Sequence, residues 1–153
     1  MQKELPAKLL MVGDGPEREP AERACKELGI KDKVIFLGNS NEIDKILCFS
    51  DLFLLPSERE SFGLAALEAM VNKVPVISSN SGGIPEVNVD GISGYLSDVG
   101  NIEEMSKNAI RILDDNDILD SFKQGAFKQA MKFDIDNIVP LYVELYESAL
   151  ETV

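Results

Sequence analysis

The sequence predicts an α/β fold: a Rossmann-like three-layer domain with a mainly parallel sheet and a helical C-terminal tail. Two observations lead to this prediction. Short apolar runs alternate with helical patterns over residues 8–97, as happens when helices connect parallel strands. From Asn101 onward only the helical period continues. With 153 residues, the chain has the length of one domain with a core of ordinary size.

Five strands are predicted, because five short apolar runs are bounded by turn residues. The helix between the first two should end at Leu28, since Gly29 is a typical residue after a helix C-terminus. A short helix capped by Asn41 or a neighbour should run through Phe49, and another should span residues 64–71. The strands are placed at residues 8–12, 34–37, 52–55, 75–78 and 94–97.

The C-terminal tail is predicted to contain three helices. The first starts at about Asn101, the second spans Ile118 to Phe133, and the third spans about Ile138 to Leu150. Pro140 must then lie in the first turn of the third helix, where a missing N–H group is tolerated. The third helix carries an apolar stripe formed by Val139, Tyr142, Leu145, Tyr146 and Ala149.

The chain is organised around residues 56–70, PSERESFGLAALEAM, where the third strand runs into a polar loop and the loop turns into a helix. Gly63 and its neighbours would place several free backbone N–H groups at the N-terminus of that helix. Such groups and the helix dipole favour an anion, and a phosphate group would suit the site. Glu60 in the loop and Glu68 in the helix frame it.

Glu68 is expected to be buried, because its helix is apolar on nearly all sides. A buried carboxylate needs hydrogen-bond donors, which ligand hydroxyls could supply. The alternative is structural: Glu68 could cap a backbone N–H group of an adjacent loop, and Glu60 could merely complement the helix dipole. The spacing of the two residues leaves both interpretations open.

The charge and composition of the chain argue against several classes of partner. The net charge of −12 and the pI near 4.4 would repel DNA, RNA and anionic lipid surfaces. No apolar stretch approaches the about 20 residues of a membrane span, and residues 1–8 contain no hydrophobic region of a signal peptide. Cys25 and Cys48 lack the spacing of a zinc or redox site. We interpret both as reduced packing residues and expect a cytoplasmic location.

Several other chemistries are excluded or disfavoured. The chain contains no histidine, which rules out Ser-His-Asp and Cys-His systems and His-based metal sites within it, and no metal site is expected. Gly13 and Gly15 begin a glycine-rich turn, but Arg18 stands where a dinucleotide-binding fingerprint requires its third glycine. No Walker-type phosphate loop occurs in the sequence.

Several motifs occur together in a fixed order. Glu60 and Glu68 form an E-x7-E pair, with Phe62-Gly63 between them. The other motifs are VGDGP at residues 12–16, VIFLG at 34–38, VPVI at 74–77 and GGIPE at 82–86. In this combination the sequence resembles the retaining glycosyltransferases of family four, which have the GT-B fold. The resemblance covers residues 8–150.

The resemblance implies the donor-binding half of such an enzyme, with a nucleotide diphosphate sugar at the C-terminal ends of the parallel strands. It implies that Glu60 is catalytic and contacts the sugar, that Glu68 holds the ribose hydroxyls, and that no cofactor is needed besides the UDP-sugar donor. The segment around Asn39 and Ser40 would meet the nucleobase. Residues 82–86 would pack behind the residues that contact the donor. Alternatively, they would form only a turn with an acid at a helix N-terminus. The amides that would contact the diphosphate and the sugar hydroxyls belong to Phe62, Gly63 and Leu64, with Ser61 as a further donor-binding residue.

The chain departs from this family by what it lacks. Residues 1–153 correspond to a single donor-binding domain without its first strand, without the upstream Arg and Lys that meet the diphosphate, and without the N-terminal domain that carries the acceptor site. The family's strand order would leave a gap between residues 8–12 and 52–55, with edges that favour self-association. We expect these strands to close the gap by direct parallel pairing, because unpaired edges are costly; a partner chain's strand is the alternative. Lys73 replaces the glycine that the family usually has after this helix.

Within the family, residues 57–70 and the GGIPEV element resemble in particular the N-acetylglucosaminyl L-malate synthases of bacillithiol synthesis. The implied reaction is retaining transfer from UDP-GlcNAc to a small acceptor such as L-malate, bound through the missing domain. Two alternatives stay open: a UDP-sugar-binding module that is inactive on its own, and a UDP-GlcNAc epimerase of related fold. The chain by itself is expected to bind UDP weakly and to transfer nothing.

Overall fold

A computed structural model describes residues 5–151, so the ends of the predicted domain, residues 1–4 and 152–153, lie outside the described residues. The α/β class is confirmed, because parallel strands alternate with helices and a helical tail follows. Every predicted strand agrees with the structure to within one residue at each end. The strands are β1 (Leu9–Val12), β2 (Val34–Gly38), β3 (Phe53–Leu55), β4 (Val76–Ser79) and β5 (Gly94–Ser97). The helices are α1 (Arg18–Glu27), α2 (Ile43–Cys48), α3 (Leu64–Val71), α4 (Ile84–Val87), α5 (Ile102–Leu113), α6 (Asn116–Ala130) and α7 (Ile135–Glu151), with 3-10 turns at Lys31–Lys33 and Met131–Phe133.

The strands form two parallel sheets rather than one. β1 pairs with β2, with Leu10 opposite Ile35, and the second sheet has the order β3-β4-β5, with Ile77 opposite both Leu54 and Tyr95. The neighbours predicted within each sheet are therefore correct. The predicted pairing of residues 8–12 with residues 52–55 is wrong, since β1 and β3 do not pair in the described part of the chain.

Solvent exposure explains why β1 and β3 can remain unpaired with each other. Leu10, Met11 and Val12 of β1 are 38–40% exposed, and Leu54 of β3 is 36% exposed. The prediction of direct pairing assumed that the free edges would be costly. In exposed strands the free N–H and C=O groups can bond to water, which removes the energetic reason for that pairing.

Helices cover both faces of the second sheet. Val76 and Ile77 of β4 are completely buried, and successive side chains of a strand point to opposite faces. Val76 packs in a cluster with residues of α3 and α6, whereas Ile77 packs in another with residues of α5 and α6. The second sheet thus lies between two helical layers, as predicted. Phe53 and Leu55 of β3 pack against the first cluster, so the strand that precedes the next loop is anchored in the hydrophobic core.

A capping residue explains where the last helix differs from the prediction. α7 begins at Ile135 rather than Ile138, because Oδ1 of Asp134 accepts a hydrogen bond from the N–H group of Asp136 at 3.0 Å. Pro140 consequently lies inside α7, and the prediction that it occupies the first turn is wrong.

The other helix ends follow local signals. Gly29 takes a φ of +69° directly after the C-cap of α1, as predicted. The N-cap of α2 is Glu42 and not Asn41, and the N–H group of Glu42 donates to the Ser40 hydroxyl at 3.1 Å. α6 starts two residues before its predicted beginning, because Asp115 accepts hydrogen bonds from N–H groups of the first turn.

The last helix, α7, is exposed along nearly its whole length. Its predicted apolar stripe is present, but Val139, Tyr142 and Tyr146 are 49–65% exposed. The sequence pattern therefore predicts the amphipathic helix without showing what covers it. No helix among the described residues has the length and hydropathy needed to cross a membrane.

Candidate functional site

The candidate site is built where β3 ends. A loop of residues 56–63, which we call the Glu60 loop, connects β3 directly to α3. Its last residue, Gly63, has a φ of +101° and immediately precedes the helix. Residues with a side chain are strained in this conformation, so the glycine allows the sharp turn from the loop into α3.

Several backbone amides are available at the N-terminus of α3. The N–H groups of Phe62, Gly63 and Leu64 have no hydrogen-bond acceptor within residues 5–151. The N–H group of Ser61, in contrast, donates to Oε1 of Glu60 at 3.1 Å. Free amides at a helix N-terminus, together with the dipole, attract an anionic group. The arrangement thus offers the amides that the family resemblance assigned to the diphosphate and the sugar hydroxyls, while the Ser61 amide is occupied.

Glu68 lies in a different environment from the one expected. It is exposed, on the same face of α3 as Leu64 and Val71, which are 66% and 52% exposed. The expectation of burial is therefore wrong. It followed from the apolar composition of the helix, but residues at i, i+4 and i+7 share one face, and no element in residues 5–151 covers that face. The buried side of α3 is formed by Ala66, Ala69 and Met70.

The exposed position changes the interpretation of Glu68. No hydrogen bond or ion pair of its carboxylate is found among the described residues, so it does not cap a neighbouring loop. Glu68 stands one helical turn beyond Leu64 on the same face of α3, and the amide of Leu64 is one of the free N–H groups. A ligand held by those amides and extending along α3 would meet this carboxylate.

Two serine hydroxyls hold the first half of the Glu60 loop. Oγ of Ser79 donates to the carbonyl oxygens of Ser57, by a short hydrogen bond, and of Leu55, at 3.4 Å. Oγ of Ser81 donates to the carbonyl oxygen of Glu58 at 2.9 Å. Sequence reasoning missed both serines, because no local pattern pairs a serine after one strand with carbonyls after another.

Two glycines hold the second half of the loop. A Cβ atom built on Gly82 would lie 1.6 Å from the carbonyl oxygen of Glu60, and one built on Gly83 would lie 2.6 Å from that of Ser61. Such distances exclude any side chain at either position without movement of the backbone. The GGIPE element is therefore packed against the site. Its acid, Glu86, is exposed in the first turn of α4, which agrees with the structural interpretation of that residue.

An aromatic contact ties the end of the loop to the C-terminal part of the chain. The rings of Phe62 and Phe133 pack edge to face, with their centroids 5.9 Å apart. Phe133 lies in the 3-10 turn after α6. The sequence gives no signal for this pair, because the two residues are far apart in the chain.

Ser40 lies at the C-terminal end of the other sheet. Its hydroxyl accepts a hydrogen bond from the N–H group of Glu42, and the ends of β1 and β2 are joined by a bond from the Gly13 N–H group to the Gly38 carbonyl at 2.8 Å. No hydrogen bond links Ser40 to the Glu60 loop within residues 5–151. Both segments follow the C-terminal ends of parallel strands, which is where ligands of open α/β sheets bind.

Some charged groups outside the Glu60 loop have partners of their own. Arg18 pairs with Asp14 at 3.6 Å and with Glu22 at 3.1 Å, so its charge is already compensated. A hydrogen bond from Lys107 lowers the pKa of Glu103 on the exposed face of α5. The part of the chain that the structure describes holds no cluster of three or more His, Cys, Asp or Glu residues that could bind a metal ion.

Comparison with known proteins decides the family. The family model described as glycosyl transferases group 1 matches residues 1–129. The chain belongs to the group 1 glycosyl transferases. Its α/β fold with parallel sheets and a helical tail is that of the GT-B enzymes in this group, as the sequence resemblance implied.

Individual relatives support the same assignment. The chain is 42% identical over 148 residues to the N-acetyl-alpha-D-glucosaminyl L-malate synthase of Bacillus anthracis, covering 96% of this chain and 39% of that protein. It is 30% identical to the 2-deoxystreptamine N-acetyl-D-glucosaminyltransferase of Niallia circulans, over 91% of this chain and 36% of that one. The solved structure of HepE from Anabaena in complex with UDP matches with a TM-score of 0.85 and 26% identity, over 93% of this chain and 41% of that one. The chain thus spans about two fifths of the length of these relatives.

Proposed function

We propose that this chain is the donor-binding part of a retaining glycosyltransferase that uses UDP-GlcNAc and transfers the sugar to a small acceptor such as L-malate. The observation that carries the proposal is the set of free amides at the N-terminus of α3, framed by Glu60 and Glu68. Membership of the group 1 glycosyl transferases supports it.

Each part of the donor has a place in this proposal. The N–H groups of Phe62, Gly63 and Leu64 bind the diphosphate and sugar hydroxyls. Glu60 contacts the sugar, and the exposed carboxylate of Glu68 accepts hydrogen bonds from the ribose. The nucleobase lies beside Ser40 and its neighbour Asn39, at the end of β2.

The chemistry requires no nucleophile from the protein. The bond between the anomeric carbon and the diphosphate oxygen breaks, and the acceptor hydroxyl forms a bond to the same face of that carbon. The departing diphosphate takes the proton of this hydroxyl, so UDP leaves protonated on a phosphate oxygen. The contribution of the chain is positioning and stabilisation of charge, which the amides and Glu60 supply.

The choice of sugar and acceptor is supported by two relatives. One is named as a GlcNAc L-malate synthase and the other as an N-acetylglucosaminyltransferase of a different acceptor. Their shared sugar favours GlcNAc, and the 42% identity of the first favours malate. HepE, which has a similar fold, was crystallised with UDP, which supports a uridine nucleotide.

The proposal also covers the parts of the enzyme that lie beyond this chain. A preceding segment of the longer protein would place a strand between β1 and β3, supply cations for the diphosphate and carry the acceptor site. With a net charge of −12, the chain by itself should bind UDP weakly and transfer nothing. A cytoplasmic enzyme fits the two free thiols of Cys25 and Cys48.

The test uses the full-length protein with UDP-GlcNAc and L-malate. We expect release of UDP together with a GlcNAc-malate product whose anomeric proton shows the α coupling of the donor in its NMR spectrum. A β product would contradict retention. Binding of UDP without transfer to any small acceptor would favour the binding module instead, and interconversion of free UDP-sugars would favour the epimerase.

A further inference from the structure

We propose that Ser79 and Ser81 are positioning residues that fix the Glu60 loop for the reaction. The inference rests on the proposed function, because it describes how the donor site is held in place. The contacts between residues 79–83 and the segment from Leu55 to Ser61 follow the same order along both segments. Ser79 meets the carbonyls of Leu55 and Ser57, Ser81 meets that of Glu58, Gly82 meets that of Glu60, and Gly83 meets that of Ser61.

The Glu60 loop depends on these contacts because it has no regular structure of its own. Its carbonyl groups need donors from elsewhere, and the two hydroxyls supply them directly before Glu60. Ser79 is the last residue of β4 and is completely buried, so the donor is held within the packed centre of the sheet. The position of Glu60 is therefore set from the rigid centre of the sheet as well as from α3.

Gly82 and Gly83 also contact the Glu60 loop, but through their backbone and not through a side chain. Their lack of a Cβ atom lets residues 82 and 83 approach the carbonyls of Glu60 and Ser61. The serines hold residues 57 and 58 in the first half of the loop, and the glycines contact residues 60 and 61 in its second half. A shift of the first half would consequently move the Glu60 carboxylate relative to the free amides at the start of α3.

Ser97 provides a matched control within the same fold. It ends β5 as Ser79 ends β4, and it is 3% exposed. Its Oγ atom, however, has no hydrogen-bond partner among the described residues. Replacement of Ser97 by Ala removes a buried hydroxyl at the end of a neighbouring strand without removing a contact to the loop.

The first measurement is amide hydrogen exchange of the full-length protein. In Ser81→Ala, exchange of the Ala66 and Leu67 amides, which donate to the Gly63 carbonyl at the end of the loop, should rise by about fivefold, the effect of one net hydrogen bond. Ser81→Thr keeps the hydroxyl and should restore the wild-type rate, and Ser97→Ala should leave these amides unchanged. Ser81 is half-buried, so its variants test the proposal even if Ser79→Ala fails to fold.

The second measurement is steady-state kinetics of the same variants. Ser81→Ala should lower kcat for sugar transfer by about five- to tenfold. Ser81→Thr and Ser97→Ala should keep the wild-type kcat. Wild-type exchange in Ser81→Ala, or an equal effect of Ser97→Ala, would overturn the positioning role. If the wild-type protein transfers no sugar, the proposed function fails, while the exchange rates still decide whether the serines hold the loop.

Discussion

Gly82 lies so close to Glu60 that a Cβ atom on the glycine would stand 1.6 Å from the glutamate carbonyl oxygen. We therefore expect Gly82→Ala to push the Glu60 loop away from its position. The free energy of unfolding should fall by about 2–4 kcal/mol, from the strain of a φ of +57° and from the clash. Urea denaturation of the purified protein measures this change.

Gly91 is the matched control for this substitution. It has a similar φ, +73°, but a Cβ atom added to it would meet no other atom within 4 Å. Gly91→Ala should therefore cost only the backbone strain, about 1–2 kcal/mol. Equal losses in the two variants would mean that the contact between Gly82 and Glu60 does not constrain the loop.

Glu60→Gln should affect the transfer step more than nucleotide binding. If the carboxylate accepts a charge-assisted hydrogen bond from the sugar, its neutralisation should lower kcat of the full-length enzyme by about 10- to 100-fold. The affinity for UDP, which lacks the sugar, should stay within about twofold of the wild type. Glu86→Gln, at an exposed acid of α4, serves as the control and should keep the wild-type kcat. A fully active Glu60→Gln enzyme would remove this residue from the mechanism.

Lys73 is the one non-glycine residue with positive φ within residues 5–151, at +60° directly after Asn72, the C-cap of α3. Lys73→Gly should relieve this strain and raise the free energy of unfolding by about 0.5 kcal/mol. This net value includes the loss of the cation–π contact of Lys73, whose Nζ atom lies 5.5 Å from the centroid of the Phe127 ring. Lys73→Ala keeps the strain and loses the ammonium group, so it should be less stable than the wild type. The same sign for both variants in urea denaturation would contradict this explanation.

The free edges of β1 and β3 should make the 153-residue chain self-associate. We expect a sedimentation coefficient that rises with protein concentration. Leu10→Lys places a charge on β1 and should reduce the association, because lysine disfavours pairing at a strand edge. Leu28→Lys makes the same change at a 71% exposed position after α1 and should have no effect. A monomer at all concentrations would show that the edges do not drive association.

Local signals predicted most of the fold correctly. α3 was predicted at its observed limits, because a polar loop with Gly63 precedes it and the apolar run ends at Val71. The start of α7 had an equally local signal, the capping side chain of Asp134, which the helical period alone did not reveal. Strand pairing between β1 and β3 could not be predicted in this way, because it depends on what surrounds both strands.

The candidate site shows the same division between local and long-range information. The free amides before α3 follow from the order of residues 60–64. The contacts of Ser79 and Ser81 with the loop, and of Phe62 with Phe133, join segments that are distant in the chain. The exposure of Glu68 was also invisible in the sequence, because it depends on which face of α3 the rest of the fold leaves uncovered.

Isothermal titration calorimetry with UDP tests the central claim most directly, in the full-length protein and its Glu68→Gln variant. Glu104→Gln, at an exposed acid of α5, is the control and should bind as the wild type does. If Glu68 accepts hydrogen bonds from the ribose, its neutralisation should weaken UDP binding by about 1.5–3 kcal/mol. Unchanged affinity in Glu68→Gln would contradict the placement of the nucleotide along α3.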